Sequence, residues 1–114
     1  MTGSNSTGND FLSKVTGIIE ENISNERFGV SELAQETGMS RSNLLRKIQK
    51  VTKLSVSQFI RQVRLKKAME ILRQSSSTVS EVSYKVGFSS TSYFVKCFHD
   101  YYGYPPGEVG KRDQ

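Results

Sequence analysis

Hydrophobic positions recur every three to four residues along most of the chain, which is the spacing of one face of an α-helix. The first such face combines Phe11, Val15, Ile18 and Ile19, in a helix that Asp10 can cap and that runs to about Ile23. Further stretches with the same period follow, separated by short segments rich in glycine and serine. The pattern therefore predicts an all-α fold.

One short pattern occurs twice in the chain. Residues 31–40 read SELAQETGMS, and residues 80–89 read SEVSYKVGFS. Each copy has Ser-Glu before a short helix, a glycine at its end, a large apolar residue and then a serine that opens a second helix. The second copy has one additional residue in its turn. Two helices joined by a short glycine turn are typical of a helix-turn-helix, so the repeat predicts two nucleic-acid-reading units.

The second helix of each copy has one apolar and one polar face. In the first copy, the apolar face combines Leu44, Ile48 and Val51. In the second copy it combines Phe94, Phe98 and Tyr101. The opposite faces carry polar or basic side chains, namely Ser42, Arg46, Gln49 and Lys53 in the first copy and Ser92, Lys96 and His99 in the second. Leu45 lies between the two faces of its helix.

A longer helix is predicted between the copies, over residues 56–74, beginning after Ser55 or Ser57. Its apolar residues spread over most of its circumference, which is typical of a helix packed on more than one side. About twenty residues span roughly 30 Å. That length is close to the roughly 34–36 Å between successive major-groove segments on one face of DNA. Binding of two grooves by one chain is therefore geometrically possible.

These elements predict the domain organisation. Residues 1–9 are expected to be a flexible linker or a remnant of the expression system, and residues 110–114 a tail. Between them lie a first helix-turn-helix subdomain (10–54), a linker helix (55–74) and a second helix-turn-helix subdomain (75–109).

Charge is distributed unevenly between these segments. The chain has a net charge of +5 and a pI near 9.5, which favours a polyanionic partner such as nucleic acid. Nine Lys or Arg residues and no acid lie between Glu36 and Glu70, whereas residues 75–114 are neutral. This basic stripe includes the exposed face of the first repeat's second helix, so the first repeat is expected to contribute more to binding than the second.

Other chemistries find little support in the sequence. A single cysteine, Cys97, and a single histidine, His99, argue against a Cys/His zinc site, and no catalytic set or phosphate loop is evident. We expect no enzyme, no metal and no cofactor. Phe88, Phe94 and Phe98 have the helical spacing of core residues rather than of a base-stacking set. Without a membrane span or signal peptide, the chain is expected to be soluble and cytoplasmic.

The two repeats and the long helix between them resemble the DNA-binding domain of AraC/XylS-family transcription regulators. The resemblance covers about Phe11–Val109 and is most specific in the run Thr78–Ser90, followed by Tyr93-Phe94 and Gly103-Tyr104-Pro105-Pro106. Two departures stand out. The long helix begins with Val56 where the family usually has proline, and Pro106–Lys111 lacks the usual Pro-Ser-x-x-Tyr-Arg run, which puts the last helix in doubt.

The resemblance implies seven helices in two helix-turn-helix subdomains that insert into adjacent major grooves of double-stranded DNA. It also implies transcriptional control, usually activation through contact with RNA polymerase. The run Ser40–Leu44 after a Gly/Ser-rich lead-in is similar to output domains of hybrid two-component regulators. The chain would then be the effector part of a longer regulator whose dimerising domain lies elsewhere; a small stand-alone regulator is the alternative.

Candidate DNA contacts follow from the exposed faces. Base-edge contacts are expected from Ser42, Leu45, Arg46, Thr91, Ser92, Val95 and Lys96. Phosphate contacts are expected from Arg41, Asn43, Lys47, Lys50, Ser90 and Tyr93. Arg46 is the strongest single candidate, because a guanidinium can pair with guanine O6 and N7 through two hydrogen bonds. Two alternatives remain open, namely a helical protein-interaction module and a non-specific nucleic-acid binder.

Overall fold

The fold is that of an all-α protein, in a computed structural model that describes residues 3–112 and the side chains of residues 8–110. Six helices are followed by a short helical end: α1 (Gly3–Glu21), α2 (Val30–Thr37), α3 (Arg41–Thr52), α4 (Val56–Gln74), α5 (Val79–Lys85) and α6 (Thr91–Tyr102), then a 3₁₀ turn (Pro106–Glu108) and α7 (Val109–Arg112). The described residues contain no β-strand. The fold class expected from the sequence is confirmed.

Side chains at the helix starts explain where the helices begin. Ser40 and Ser90 each accept a hydrogen bond from the backbone N–H three residues on, at 3.1 and 3.3 Å. At the start of α4, the Ser55 hydroxyl accepts a hydrogen bond from the Gln58 N–H, and the Gln58 side-chain oxygen accepts one from the Ser55 N–H. Thr78 and Glu81 form the same reciprocal arrangement before α5.

Within the described part of the chain, the first compact unit comprises residues 3–22 and 28–63. Within it, α1 packs on α2 and α2 packs on α3. Its buried side chains come from all three helices, from the connection between α1 and α2 and from the first half of α4: Val15, Ile19, Phe28, Leu33, Ala34, Leu44, Ile48, Val56, Phe59, Ile60 and Val63. The periodicity of α1 and α3 predicts four of these residues, Val15, Ile19, Leu44 and Ile48.

Among the described residues, the second compact unit comprises residues 23–27 and 64–112. Its hydrophobic core is formed by Leu65, Ala68, Met69, Val82, Val86, Phe88, Phe94, Cys97, Phe98 and Val109. The ring of Phe94 packs at a steep angle against those of Phe88 and Phe98, with ring centroids 5.2 and 5.8 Å apart. The assignment of these phenylalanines to the core is confirmed. The division between the units falls inside α4, because its two halves bury their apolar residues in different interiors.

Several expectations need correction. Val51 and Tyr101 are 39% exposed, although their helical phase places them with the buried residues. Both lie in the last turn of a helix, where burial also requires a covering neighbour. Next to Tyr101, Tyr102 packs its ring on Phe98 at 4.6 Å instead.

The two ends of the chain also differ from expectation. Residues 3–9, expected to form a flexible linker, continue α1, since each added residue extends an existing hydrogen-bond ladder. Residues 110–112 of the expected tail lie in α7, and the final helix doubted from the sequence begins as a 3₁₀ turn at Pro106. Residues 1–2 and 113–114 lie outside the described part of the chain. Across the described residues, no helix has both the length and the apolar character needed to cross a bilayer.

Candidate nucleic-acid interface

The first candidate reading surface is the exposed face of α3. Ser42, Arg46 and Gln49 are exposed on the side of α3 away from the buried Leu44 and Ile48, and Leu45 is exposed at the edge of that side. The helix contains four basic residues before its C-terminal cap and no acid. The structure therefore brings the expected base-reading residues of the first repeat onto one accessible, positively charged face.

The phosphate candidates of α3 differ in their surroundings. Asn43, Arg46 and Lys50 line a shallow open groove with Met39. Lys47 also reaches this groove, but its ammonium group lies 4.8 Å from the ring centroid of Phe11, so it is partly held by α1. Arg41 and Lys50 are exposed at the rim of the face and remain the better candidates for phosphate contacts.

Arg41 also lies near the start of α2. The pKa of Glu32 is lowered, first by the hydrogen bond that its carboxylate accepts from the Gly29 N–H and to a smaller extent by the charge of Arg41. The same carboxylate fixes the start of α2 because it satisfies an N–H group that has no partner in the helix. Glu32 thus places one negative charge beside the rim of the otherwise basic face.

The second candidate reading surface is the exposed side of α6. Ser92, Lys96 and His99 are exposed and turned away from the core residues Phe94 and Phe98, as the sequence predicts. The turn before α6 has one more residue after its glycine than the turn before α3, which also agrees with the sequence. Tyr93 is 48% exposed, and its ring contacts Phe88.

Lys96 is engaged with an acid on its own helix. Its ammonium group lies 3.1 Å from a carboxylate oxygen of Asp100, one turn further along α6. The hydrogen bond to Asp100 and the charge of that carboxylate raise the pKa of Lys96. Sequence reasoning identified Lys96 but not Asp100, although an acid four residues after a lysine signals such a pair.

Thr91 and Val95, both expected to read bases, are half-buried. The Thr91 hydroxyl lies 3.1 Å from the Ser83 hydroxyl and 3.3 Å from the Ser80 hydroxyl, so it links α6 to α5. Val95 packs against the hydrophobic core of the second unit. These two side chains therefore support the helix pair, and Ser92 and Lys96 are left as the exposed base-reading candidates of α6. Ser90, expected at a phosphate, caps α6 with its hydroxyl.

Sequence reasoning missed the role of Arg64. Although it belongs to the basic stripe, Arg64 is only 6% exposed. Its guanidinium donates hydrogen bonds to the backbone carbonyl oxygens of Ile23, Val86 and Asn25, at 2.7, 2.8 and 3.0 Å. Burial lowers the pKa of Arg64. Its positive charge therefore stabilises the second unit instead of facing a ligand.

A signal for this role was present in α4. Arg64 lies four residues after Ile60 and four residues before Ala68, and both are buried. A charged side chain at the centre of an apolar helical stripe is expected to find hydrogen-bond partners in the interior. Among the described side chains, no group of three or more His, Cys, Asp or Glu residues could hold a metal ion.

The family comparison matches residues 33–112 to a family described as a helix-turn-helix domain. Among curated proteins, the chain is 39% identical over 101 residues to histidine kinase P4 of Formosa agariphila, which covers 89% of this chain and 7% of the kinase. The chain spans less than half the length of the first curated relatives it matches.

Solved structures of DNA-binding domains are also similar to this chain. A transcriptional regulator with an AraC-type DNA-binding domain, from Chromobacterium violaceum, superposes with a TM-score of 0.82 at 24% identity, covers 91% of this chain and 92% of its own, and so shares the fold. The DNA-binding domain of the global transcriptional factor AdpA, solved with a target DNA, has a TM-score of 0.76 at 26% identity and covers 90% of this chain and 96% of its own. The family comprises DNA-binding regulators rather than enzymes. The chain belongs to the AraC-type helix-turn-helix family of transcription regulators.

Proposed function

We propose that this chain is the duplex-DNA-reading part of a longer transcription regulator, with α3 and α6 as its two recognition helices. The observation that carries the proposal is the exposed face of α3, where Ser42, Leu45 and Arg46 stand among basic residues without an acid. Such a face offers bidentate hydrogen bonding to guanine and favourable contact with phosphates. The AdpA domain was solved with a target DNA, which supports the same use of the fold here.

The proposed mechanism gives the two helices unequal roles. Arg46 pairs with guanine, with Ser42 and Leu45 on neighbouring base edges, while Arg41, Asn43, Lys47 and Lys50 contact phosphates. In α6, Ser92 and Lys96 contact bases, and Ser90 and Tyr93 contact the backbone. Because Lys96 is paired with Asp100, and residues 75–114 are neutral, α6 contributes less affinity than α3. Both helices would occupy adjacent major-groove segments.

The remainder of the regulator is part of the proposal. The match to a small part of a histidine kinase supports an origin in a hybrid two-component regulator, with this chain as its effector part. Dimerisation through another segment, contact with RNA polymerase and a cytoplasmic location belong to the same proposal. We propose no catalytic activity for the chain itself.

A gel-shift titration tests the proposal. Duplexes enriched by this chain from a random library are compared with scrambled duplexes of equal composition, across a series of salt concentrations. Sequence-specific binding predicts a preference of roughly 10³-fold or more for the enriched duplex and a steep fall in affinity with salt. Equal, salt-sensitive affinity for both duplexes would indicate non-specific binding, and no binding to either would favour a protein-interaction module.

A further inference from the structure

Leu45 is an exposed aliphatic side chain at the edge of the polar face of α3, between that face and the buried one. Its exposed fraction is 43%, the largest among the aliphatic residues identified as exposed. Four residues three and four positions away share its side of the helix. Arg41, Ser42 and Gln49 are exposed beside it, whereas Ile48 is buried. A partner that covers Leu45 must therefore present a small apolar group inside a surface that is otherwise polar and negatively charged.

The major groove of DNA has this combination. Phosphates line its rim, base edges supply hydrogen-bonding groups, and the C5-methyl group of thymine supplies the apolar contact. An extended apolar groove of a protein partner fits less well, because Leu45 is one apolar side chain among cations and amides. Resting on the proposed function, we infer that Leu45 is a specificity-determining residue that recognises thymine by its methyl group.

The equivalent position of the second repeat differs. Val95 occupies it, fifty residues after Leu45, and packs against the hydrophobic core of the second unit. A side chain used for packing has less apolar surface to offer a base. The two recognition helices should therefore differ, and we expect methyl recognition by α3 and none by α6.

The test removes the methyl group from the DNA. Each thymine of the enriched duplex is replaced singly by uracil, which changes nothing else on the base edge. For the unmodified chain, one replacement is expected to weaken binding about fourfold, the factor that corresponds to one buried methyl group. That thymine should lie in the same major-groove segment as the base pair at which Arg46→Ala relaxes the sequence preference of the chain.

Protein variants assign the effect to Leu45. Leu45→Ala should bind the thymine duplex less tightly and should no longer distinguish thymine from uracil at that position. Val51→Ala is the matched control, since Val51 is 39% exposed and lies on the opposite side of α3 from Ser42. It should retain the full response to uracil. Thermal unfolding of each variant checks that both are folded.

The outcomes separate this inference from the proposed function. If the chain prefers its enriched duplex but responds to no uracil replacement, thymine recognition by Leu45 is refuted while the proposed function stands. An unchanged uracil response in Leu45→Ala refutes it equally. If no duplex is enriched, the proposed function itself is wrong. Should Leu45→Ala fail to fold, the uracil series with the unmodified chain still decides whether any methyl group is recognised.

Discussion

The guanidinium of Arg64 occupies the space that a β-carbon on residue 87 would need, and Gly87 leaves that space open. Gly87 also has a φ of +87°, which side chains other than that of glycine rarely adopt. The carbonyl oxygen of Ile23 borders the same space. The glycine of the second turn therefore makes room for the buried arginine that joins residues 23–25 to Val86 in the second unit.

The two turn glycines should respond differently to the same substitution. Gly38 has a φ of +72°, but a β-carbon there would meet nothing within 4 Å. Gly38→Ala should cost about 1 kcal/mol, from backbone strain alone. Gly87→Ala should cost at least about 3 kcal/mol, because it also displaces the Arg64 hydrogen bonds. Urea unfolding of both variants measures the difference, and equal costs would refute the role assigned to Arg64 at this turn.

Removal of Arg64 should destabilise the fold more than removal of an exposed arginine. Arg64→Ala leaves the carbonyl oxygens of Ile23, Val86 and Asn25 without this donor, so we expect a loss of about 3 kcal/mol. Arg46→Ala is the control, with a change within about 0.5 kcal/mol. Thermal unfolding monitored by circular dichroism compares them. A loss for Arg64→Ala no larger than that of the control would contradict a structural role.

Arg46 and Lys50 should affect DNA binding in different ways. Arg46→Ala is expected to weaken binding by about 1–3 kcal/mol and to relax the preference at one base pair. Lys50→Ala should weaken binding to all sequences similarly and reduce the salt slope by about one unit. Titration of both variants against single-base variants of the enriched duplex measures this. A uniform loss for Arg46→Ala would make it a phosphate contact instead.

Asp100 should limit the affinity of α6 for DNA. Asp100→Asn removes the carboxylate that holds Lys96 and a negative charge that repels phosphates, so binding to enriched and scrambled duplexes should both tighten roughly twofold. In the Lys96→Ala background, any remaining gain from Asp100→Asn reports repulsion alone. Lys96→Ala itself should cost less affinity than Arg46→Ala. Filter-binding titrations give these values, and weaker binding by Asp100→Asn would contradict the account.

Glu81 should make the stability of the fold depend on pH in the acidic range. The hydrogen bond from the Thr78 N–H, followed by that from the Thr78 hydroxyl, lowers the pKa of Glu81 in the folded chain. Its ionised form therefore stabilises the fold above the unfolded-state pKa, and this contribution is lost as the pH falls through the lower folded-state value. Glu81→Gln should flatten that part of the pH profile. Thermal unfolding between about pH 7 and pH 3 measures it, and an identical slope for Glu81→Gln would show that the charge of Glu81 does not contribute to the pH dependence.

Helical phase and capping residues predict most of the fold from the sequence. Ser40, Ser90 and Glu81 signal helix starts through local chemistry, and Leu44, Ile48, Phe94 and Phe98 signal the buried faces through their spacing. Val51 and Tyr101 follow the same spacing and are nevertheless exposed, because burial at the end of a helix depends on elements that are distant in sequence. Local periodicity contains no information on whether a distant element packs over the end of a helix.

The sequence predicts those features of the candidate site that are set within a single helix. The exposed face of α3 follows from phase and charge alone. The half-buried positions of Thr91 and Val95 depend instead on how α5 packs on α6, and the role of Arg64 depends on carbonyl oxygens about forty and about twenty residues away. Those contacts are set by tertiary structure. For this reason the basic stripe overstates the charge available to a ligand by at least one arginine.

The most direct test of the central claim is a map of backbone amide chemical shifts, recorded as this chain is titrated with its enriched duplex and with a scrambled one. Base reading by α3 and α6 predicts that shifts specific to the enriched duplex are concentrated at Ser42, Leu45 and Arg46, with smaller specific changes at Ser92 and Lys96. Identical maps for the two duplexes, or specific shifts located on α1 with α3 unchanged, would contradict it.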